Sequence, residues 1–406
     1  MEIKIHRGEN QIGGNIIEIA SETTKIILDA GLELNGKPGE HFDLPGLFKY
    51  KGYDGVFLSH YHNDHIGLAY EVHPDISVYM GESSYKIVSA SDKYKGVKTF
   101  RAEGFMGHKQ PIQIGDMIVT PFLCDHSAFD SYMILVESGN EKILYTGDFR
   151  ANGRKPFQWL MDQLPKKVDT LIIEGTTLSR GGKKNITESE LEEKAFELFS
   201  KTDGPIFVLQ SSMNIDRIVT MYRAGKKVGR TMLQDLYLAE ITNSIGKSIP
   251  NPIAFSDVKV FITKYYPPFH LRYRLFSKYG AKKISKAQIS NTKFLMCVRA
   301  SMLNYIVSVS RKMSFEGGIL VYSFWSGYKE EKDMKAFLAK CESLGLKVIT
   351  LHTSGHADQD TIRALIAHTN PGKIIPVHTE NAAWFDEFQL GPGGALWAGE
   401  AGRGRD

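Results

Sequence analysis

Apolar residues in the first part of the chain come in short runs, each closed by a turn-forming cluster. Residues 3–6, 15–19 and 25–28 read as strands, with Gly13-Gly14 and Ser21-Glu22-Thr23 as turns between them. Asp29-Ala30-Gly31 closes the third strand, and Asp29 is read there as a turn residue, not a catalytic one. Residues 54–59 form a short apolar run ending in Ser59, and residues 66–70 read as the start of a helix. A β/α pattern continues through a strand at 76–79 and a helix from Glu82 to Ala90. A strand at 119–124 runs into Asp125-His126, and runs at 132–137 and 142–145 read as a hairpin about Gly139-Asn140. Residues 168–174 form a β-branched strand that ends on Glu174.

From Leu178 to Ser189 the composition turns to Gly, Lys, Asn and Ser, a plausible crossing into a second domain. Beyond it, helical spacing over 188–201 is followed by a strand at 205–210 and a helix opened by Ser211-Ser212-Met213-Asn214. A second strand and helix follow near 229–241, and that β-α-β-α order implies a parallel sheet. A strand at 317–323, an amphipathic helix at 333–344, a strand from Lys347, a helix at 359–367 and a strand at 373–377 complete the reading.

The densest chemistry is His60-Tyr61-His62-Asn63-Asp64-His65, four metal-ligand types in six residues on a strand-to-helix loop. Histidines two apart in extended chain project to one side. His-x-His-x-Asp-His after a strand resembles the signature of the metallo-β-lactamase superfamily. Glu174 within Glu-Gly-Thr, His356 within Ser354-Gly355-His356-Ala357, and His378 at a strand end resemble the three added motifs of the β-CASP nucleases, most nearly those of the ribonuclease J group. The resemblance implies an α/β fold: a metallo-β-lactamase αββα sandwich (residues 1–180 and 348–389) with an inserted β-CASP domain (181–347) and an atypical tail at 390–406. It also implies two zinc ions, the His/Asp ligand types equally suiting manganese. His60, His62 and His126 would hold one ion; Asp64, His65 and His378 would hold the other; Asp148 would bridge. Asp64 and Asp148 thereby count as catalytic, together with His356 as general acid and Glu174 as its orienting partner. Ser354, Gly355 and His352, beside a helix start able to receive a phosphate, would meet the substrate.

The expected activity is hydrolysis of RNA phosphodiesters by water activated between two metals. A small-molecule metallo-hydrolase of the same superfamily would explain the ligands but not Glu174, His356 or the insertion. An RNA-binding scaffold without chemistry would not explain a full ligand set. The formal charge of +4, on a chain 42% hydrophobic and 24% charged, permits a polyanionic partner without demanding one. Residues 93–101 mix Lys and Arg with aromatics but read better as a solvated loop. Residues 261–293 do so more densely, and there an RNA-tracking surface and a solvated helical face stand level. Arg217 would either touch RNA or form a salt bridge within its domain. The three scattered cysteines imply a reducing, cytoplasmic location, and no apolar run reaches the ~20 residues a membrane span needs. Single-stranded RNA is the expected partner, with a homodimer left open.

Overall fold

A computed structural model describes residues 1–34, 42–179, 184–263 and 267–388. The short strand runs assemble into two mixed six-stranded sheets. The first runs in chain order through β1 (Glu2–Arg7), β2 (Ile16–Ala20), β3 (Lys25–Leu28), β4 (Gly55–Phe57), β5 (Ser77–Gly81) and β6 (Gly104–Met106). The second contains β7 (Ile112–Ile114), β8 (Met117–Cys124), β9 (Ser131–Ser138), β10 (Glu141–Tyr145) and β11 (Thr170–Glu174). Its far edge is supplied by a strand from the end of the chain, β18 (Lys373–Val377), parallel to β11.

Alternation along each strand explains the layering. Ile17, Ile19, Phe57, Ile134, Val136, Ile172 and Val377 are buried in one cluster between the two sheets. Ile27, Val56 and Val78 point the other way, toward Ile87 and Val88 of the helix Glu82–Lys95. On the outer face of the second sheet, Phe122, Leu144 and Leu171 meet Ile362, Leu365 and Ile366 of the helix Gln359–Thr369. Two sheets between two helical layers make the expected αββα sandwich. Each fully buried Ile, Leu or Phe contributes about 1.5–3 kcal/mol.

The inserted part is a separate, wholly parallel sheet of β12 (Ile206–Leu209), β13 (Thr231–Asp235), β14 (Val258–Phe261), β15 (Phe294–Val298), β16 (Gly318–Tyr322) and β17 (Leu346–Thr350). Its strand order is β14-β13-β15-β12-β16-β17. The helix over residues 188–201 forms as Glu188–Ser200, started by a reciprocal Thr187–Glu190 capping box.

Three expectations shift. The strand from Lys347 pairs with β16, so the insertion holds its sheet together to Thr350 and the return to the sandwich falls after residue 350, not at 348. A one-turn helix, Asn63–Ile66, starts three residues earlier than the pattern suggested and carries Asp64 and His65 on it. Lys93, Tyr94 and Lys95 belong to the end of a helix, not to a loop, and Tyr94 packs against Tyr237 with ring centres 5.3 Å apart. The start of the insertion near 181, Lys264, Tyr265 and Tyr266 of the basic segment, and the tail at 390–406 lie outside the described residues.

Candidate metal centre

Strand ends of both sandwich sheets converge at one edge of the fold. His60 follows β4, His126 follows β8, Asp148 follows β10, Glu174 ends β11 and His378 follows β18. His60 and His62, two apart in the chain, lie together with His126, which only the family resemblance had joined to them. His62 Nδ1 lies 3.1 Å from His60 Nε2 and 3.1 Å from His126 Nε2. Asp148 Oδ2 stands 3.7 Å from His60 Nε2 and 3.8 Å from His126 Nε2. On the other side, Asp64 Oδ2 lies 3.1 Å from His378 Nε2 and 3.9 Å from His65 Nε2. Asp148 faces this set too, with Oδ2 3.2 Å from His65 Nε2 and Oδ1 3.8 Å from His378 Nε2. His60, His62, His126 and Asp148 could thus hold one ion. Asp64, His65 and His378 form a second group, Asp148, Glu174, His356 and His378 a third, and Asp148 faces the histidines of the first and second sets alike.

The polar bookkeeping of the site fits a cation. His65 Nε2 and Asp148 Oδ1 are buried without a hydrogen-bond partner, which a folded protein rarely tolerates unless something else binds there. Burial, then the neighbouring histidines, push His60 and His126 well below the usual imidazole value, and burial brings His62 down to about 4. Neutral imidazoles offer lone pairs to a metal. Burial opposes charge on Asp148 and Asp64, yet facing histidines outweigh it and hold both carboxyls low.

Ligand orientation is fixed by a ring of outer partners, the arrangement that tunes metal sites. His65 Nδ1 meets Asp29 Oδ2 at 2.7 Å. Asp29 also accepts from the Ser59 amide at 2.7 Å and from the Tyr145 hydroxyl at 2.6 Å, with no exposed surface. Asp29 is therefore more than the turn residue the sequence suggested. Its φ of 58° and the φ of 53° at His378 are left-handed, an uncommon state for such residues and one that clusters at functional sites. Thr176 Oγ1 lies 2.8 Å from His378 Nδ1, and the Gly355 carbonyl lies 2.5 Å from His126 Nδ1. Gly31 is demanded by close approach, since a Cβ there would lie 1.8 Å from the Asp64 carbonyl oxygen.

Glu174 and His356 also arrive at this centre. His356 Nδ1 lies 3.1 Å from Glu174 Oε2 and 3.6 Å from Asp148 Oδ2. Glu174 is itself pinned by the amides of Phe149 at 3.0 Å and Thr176 at 3.2 Å. The three residues expected at the substrate sit nearby but spend their described contacts on the protein. Ser354 Oγ accepts the His356 amide at 3.0 Å. Gly355 orients His126, and a Cβ there would come within 2.6 Å of Ser127 Oγ. His352 lies 3.5 Å from an Arg217 guanidinium nitrogen, and burial followed by that positive charge brings it down to about 3. At the start of the helix Gln359–Thr369 the Asp358 carboxylate accepts the Thr361 amide, 3.0 Å away.

The loop bearing His356 is held by buried ions from three parts of the chain. Arg150, fully enclosed, donates to Asp125 at 2.6 Å, Asp216 at 2.7 Å and the Ser354 carbonyl at 3.2 Å. Arg217, equally enclosed, donates to Glu188 at 3.0 Å and the Thr353 carbonyl at 3.2 Å. Arg217 is therefore salt-bridged, and its bridge ties the insertion to the loop that leaves it. Sequence reasoning had no signal for Arg150, whose partners are 25 to 204 residues away.

Comparison with known proteins bears on the family and the fold. A family profile described as the metallo-beta-lactamase superfamily matches residues 10–195, and one described as a Zn-dependent metallo-hydrolase RNA specificity domain matches residues 343–386. Ribonuclease J of Helicobacter pylori (strain ATCC 700392 / 26695) is 23% identical over 409 residues, covering 92% of this chain and 55% of that protein. Ribonuclease J 2 of Streptococcus pyogenes serotype M3 is 24% identical over 400 residues, covering 92% of this chain and 68% of that one. The chain thus spans about half the length of the Helicobacter relatives it matches. A crystal structure titled as a protein of unknown function from Enterococcus faecalis V583 superposes with a TM-score of 0.72 at 20% identity, covering 93% of this chain and 94% of that one. That likeness concerns the fold.

Proposed function

Because this chain is a ribonuclease J-like, β-CASP protein of the metallo-β-lactamase superfamily with a divalent-metal site, we propose that it is a metal-dependent ribonuclease acting on single-stranded RNA. One observation carries the reading. The Glu174–His356 pair, which a small-molecule hydrolase does not need, stands against the same Asp148 that joins the two ligand sets. Two zinc ions, or manganese in their place, would sit in those sets. Bound there, they would supply Lewis acidity, lowering the pKa of a water between them and taking up charge from the phosphate.

The chain's own residues do the rest. Asp148 and Asp64, held ionised, supply the negative charge that would retain the cations, and the cations' charge would offset repulsion of the phosphodiester. His356 turns Nδ1 to Glu174 and would hand a proton to the departing oxygen. Arg150 and Arg217 fix the backbone from which His356 projects. The edge of the parallel sheet where its strands end faces this centre: Tyr61 of the ligand loop donates to the Met213 carbonyl, just past β12, at 2.6 Å.

The test is metal content together with hydrolysis of a labelled, 5′-monophosphorylated RNA, set against a panel of thioesters and lactones. The reading expects RNA to be the substrate that turns over. Turnover of a thioester or lactone with intact RNA would assign the small-molecule activity instead, and a metal-loaded chain that binds RNA without cutting it would make it a scaffold. A cytoplasmic location is part of the same reading; among the described residues no helix is long and apolar enough to cross a membrane.

A further inference from the structure

Between Val258 and Phe315 the chain has twelve Lys and Arg and no Asp or Glu, so its formal charge of +4 conceals a +12 segment on a remainder of −8. This segment begins with β14, at the edge of the inserted sheet, and includes the helix Phe269–Tyr279. Helical spacing sorts that helix into two faces. Leu271, Leu275 and Tyr279 are buried, while Phe269 and Tyr273, one turn apart, are 85% and 86% exposed. Isolated apolar residues at a surface need no explanation, but two aromatic rings almost wholly in water on one helix turn do.

Leu275, Phe276 and Tyr279 of the same helix line a cavity of about 530 Å³. Its walls are apolar, including Leu236, Val260, Leu275 and Tyr279, and Lys283 and Lys286 also line it. Lys286 Nζ lies 5.1 Å from the centre of the Tyr305 ring, which also lines the cavity. Leu236 directly follows β13 and Ile262 directly follows β14, so the cavity opens where the strands of the parallel sheet end. Open parallel sheets bind ligands at that edge. The same edge faces the metal centre at β12, three strand spacings or roughly 14 Å along the sheet from β14. The nearby carboxylates are already engaged: Glu240 by Lys278 and by Tyr279 at 2.6 Å, Asp235 by Arg299 at 2.6 Å.

We propose that this cavity, with Phe269 and Tyr273 of the helix that helps to wall it, is a second RNA site that takes an unpaired nucleotide of a strand engaged at the metal centre. The base would enter the apolar walls, its phosphates would meet Lys283 and Lys286, and the flanking bases would stack on Phe269 and Tyr273. An apolar cavity alone would suit many ligands. The acid-free, cationic segment that builds it selects a polyanion, and exposed rings among cations are how single strands are held without sequence preference. The inference rests on the ribonuclease reading but concerns a site apart from the metal ligands.

The test uses the metal-loaded protein and two probes: a fluorescent 2′-O-methyl oligoribonucleotide long enough to span both sites, which resists hydrolysis, and a 5′-phosphorylated dinucleotide that is too short. Lys283→Glu with Lys286→Glu should weaken binding of the long probe about tenfold or more and lower the slope of log affinity against log salt by about 1.4, the share of two phosphates. Phe269→Ser with Tyr273→Ser should weaken it about tenfold through lost stacking. Dinucleotide hydrolysis should stay unchanged in both. All four positions line a cavity or the surface, and Lys283→Gln with Lys286→Gln gives the same readout should charge reversal disturb folding. Unchanged affinity and salt slope, in a protein that cuts the dinucleotide, would overturn the site and leave the ribonuclease reading standing. Aromatic variants that turn a dimer into a monomer without changing RNA affinity would also overturn it, making this surface a contact between copies. A wild-type protein that cuts neither the dinucleotide nor any longer unmodified RNA would instead refute the activity.

Discussion

The loop carrying His60 to His65 and the loop carrying Ser354 to His356 end at the same centre but are held there by different means. The first belongs to one domain. It leaves β4, its Asp64 carbonyl accepts the amides of Gly14 at 3.0 Å and Asn15 at 3.1 Å, and its His65 is braced by Asp29. The second leaves the inserted sheet at β17 and crosses back to the sandwich under a clamp of Arg150, Arg217 and their carboxylates. On the proposed reading, metal retention would depend mainly on the sandwich, while placement of His356 would depend on how the two domains meet. A chain could lose the second without losing the first.

The sharpest break removes what the loops share. Asp148→Ala should abolish RNA hydrolysis, by about 10⁴-fold or more, and metal analysis should show the cause as lost ions. Next, His356→Ala should slow hydrolysis by about 10²–10⁴-fold while both metals stay, seen by pairing turnover with metal content. Arg150→Met attacks the second loop from beneath. It strands Asp125, Asp216 and Glu188 in the interior, so denaturant melts should show a loss of about 3–5 kcal/mol. At temperatures where the variant stays folded, kcat should fall with metal still bound. Asp29→Asn acts on the first loop alone: metal affinity should drop about 10–100-fold, with activity restored by added metal.

The smallest effect is one of pH. Burial raises the Glu188 carboxyl, but Arg217 and Arg150 outweigh it and hold it down to about 2, against an ordinary value of 4.5. Its folded state thus binds fewer protons than the unfolded chain between those values. The stability it contributes is full above about pH 4.5 and is lost as pH falls toward 2. Melts of wild type and Glu188→Gln across that range should show the shallower acid dependence in the variant.

What could be read from the sequence follows the same division. His60, His62, Asp64 and His65 are near neighbours in the chain, so spacing alone suggested a metal. Asp148, Glu174 and His378 are each one residue at or just past a strand end, and His356 lies in a loop six residues beyond β17; family resemblance was needed to single them out. Asp29 and Arg150 were missed because their meaning lies in partners far along the chain, such as Tyr145, 116 residues from Asp29. Likewise the apolar run at 347–349 announced a strand but not its sheet, since pairing with β16 is decided in three dimensions. The two basic, aromatic segments were visible as composition. The difference between Tyr94, packed on Tyr237, and Tyr273, almost wholly exposed, was not.

The central claim is that seven ligands hold two ions across Asp148 while His356 stands beside them as a proton donor and not as a ligand. The most direct test is the number of divalent metal ions bound per chain in the wild type and in His356→Ala. Two in each is the predicted result; a single ion in the wild type, or loss of an ion on removing His356, would contradict it.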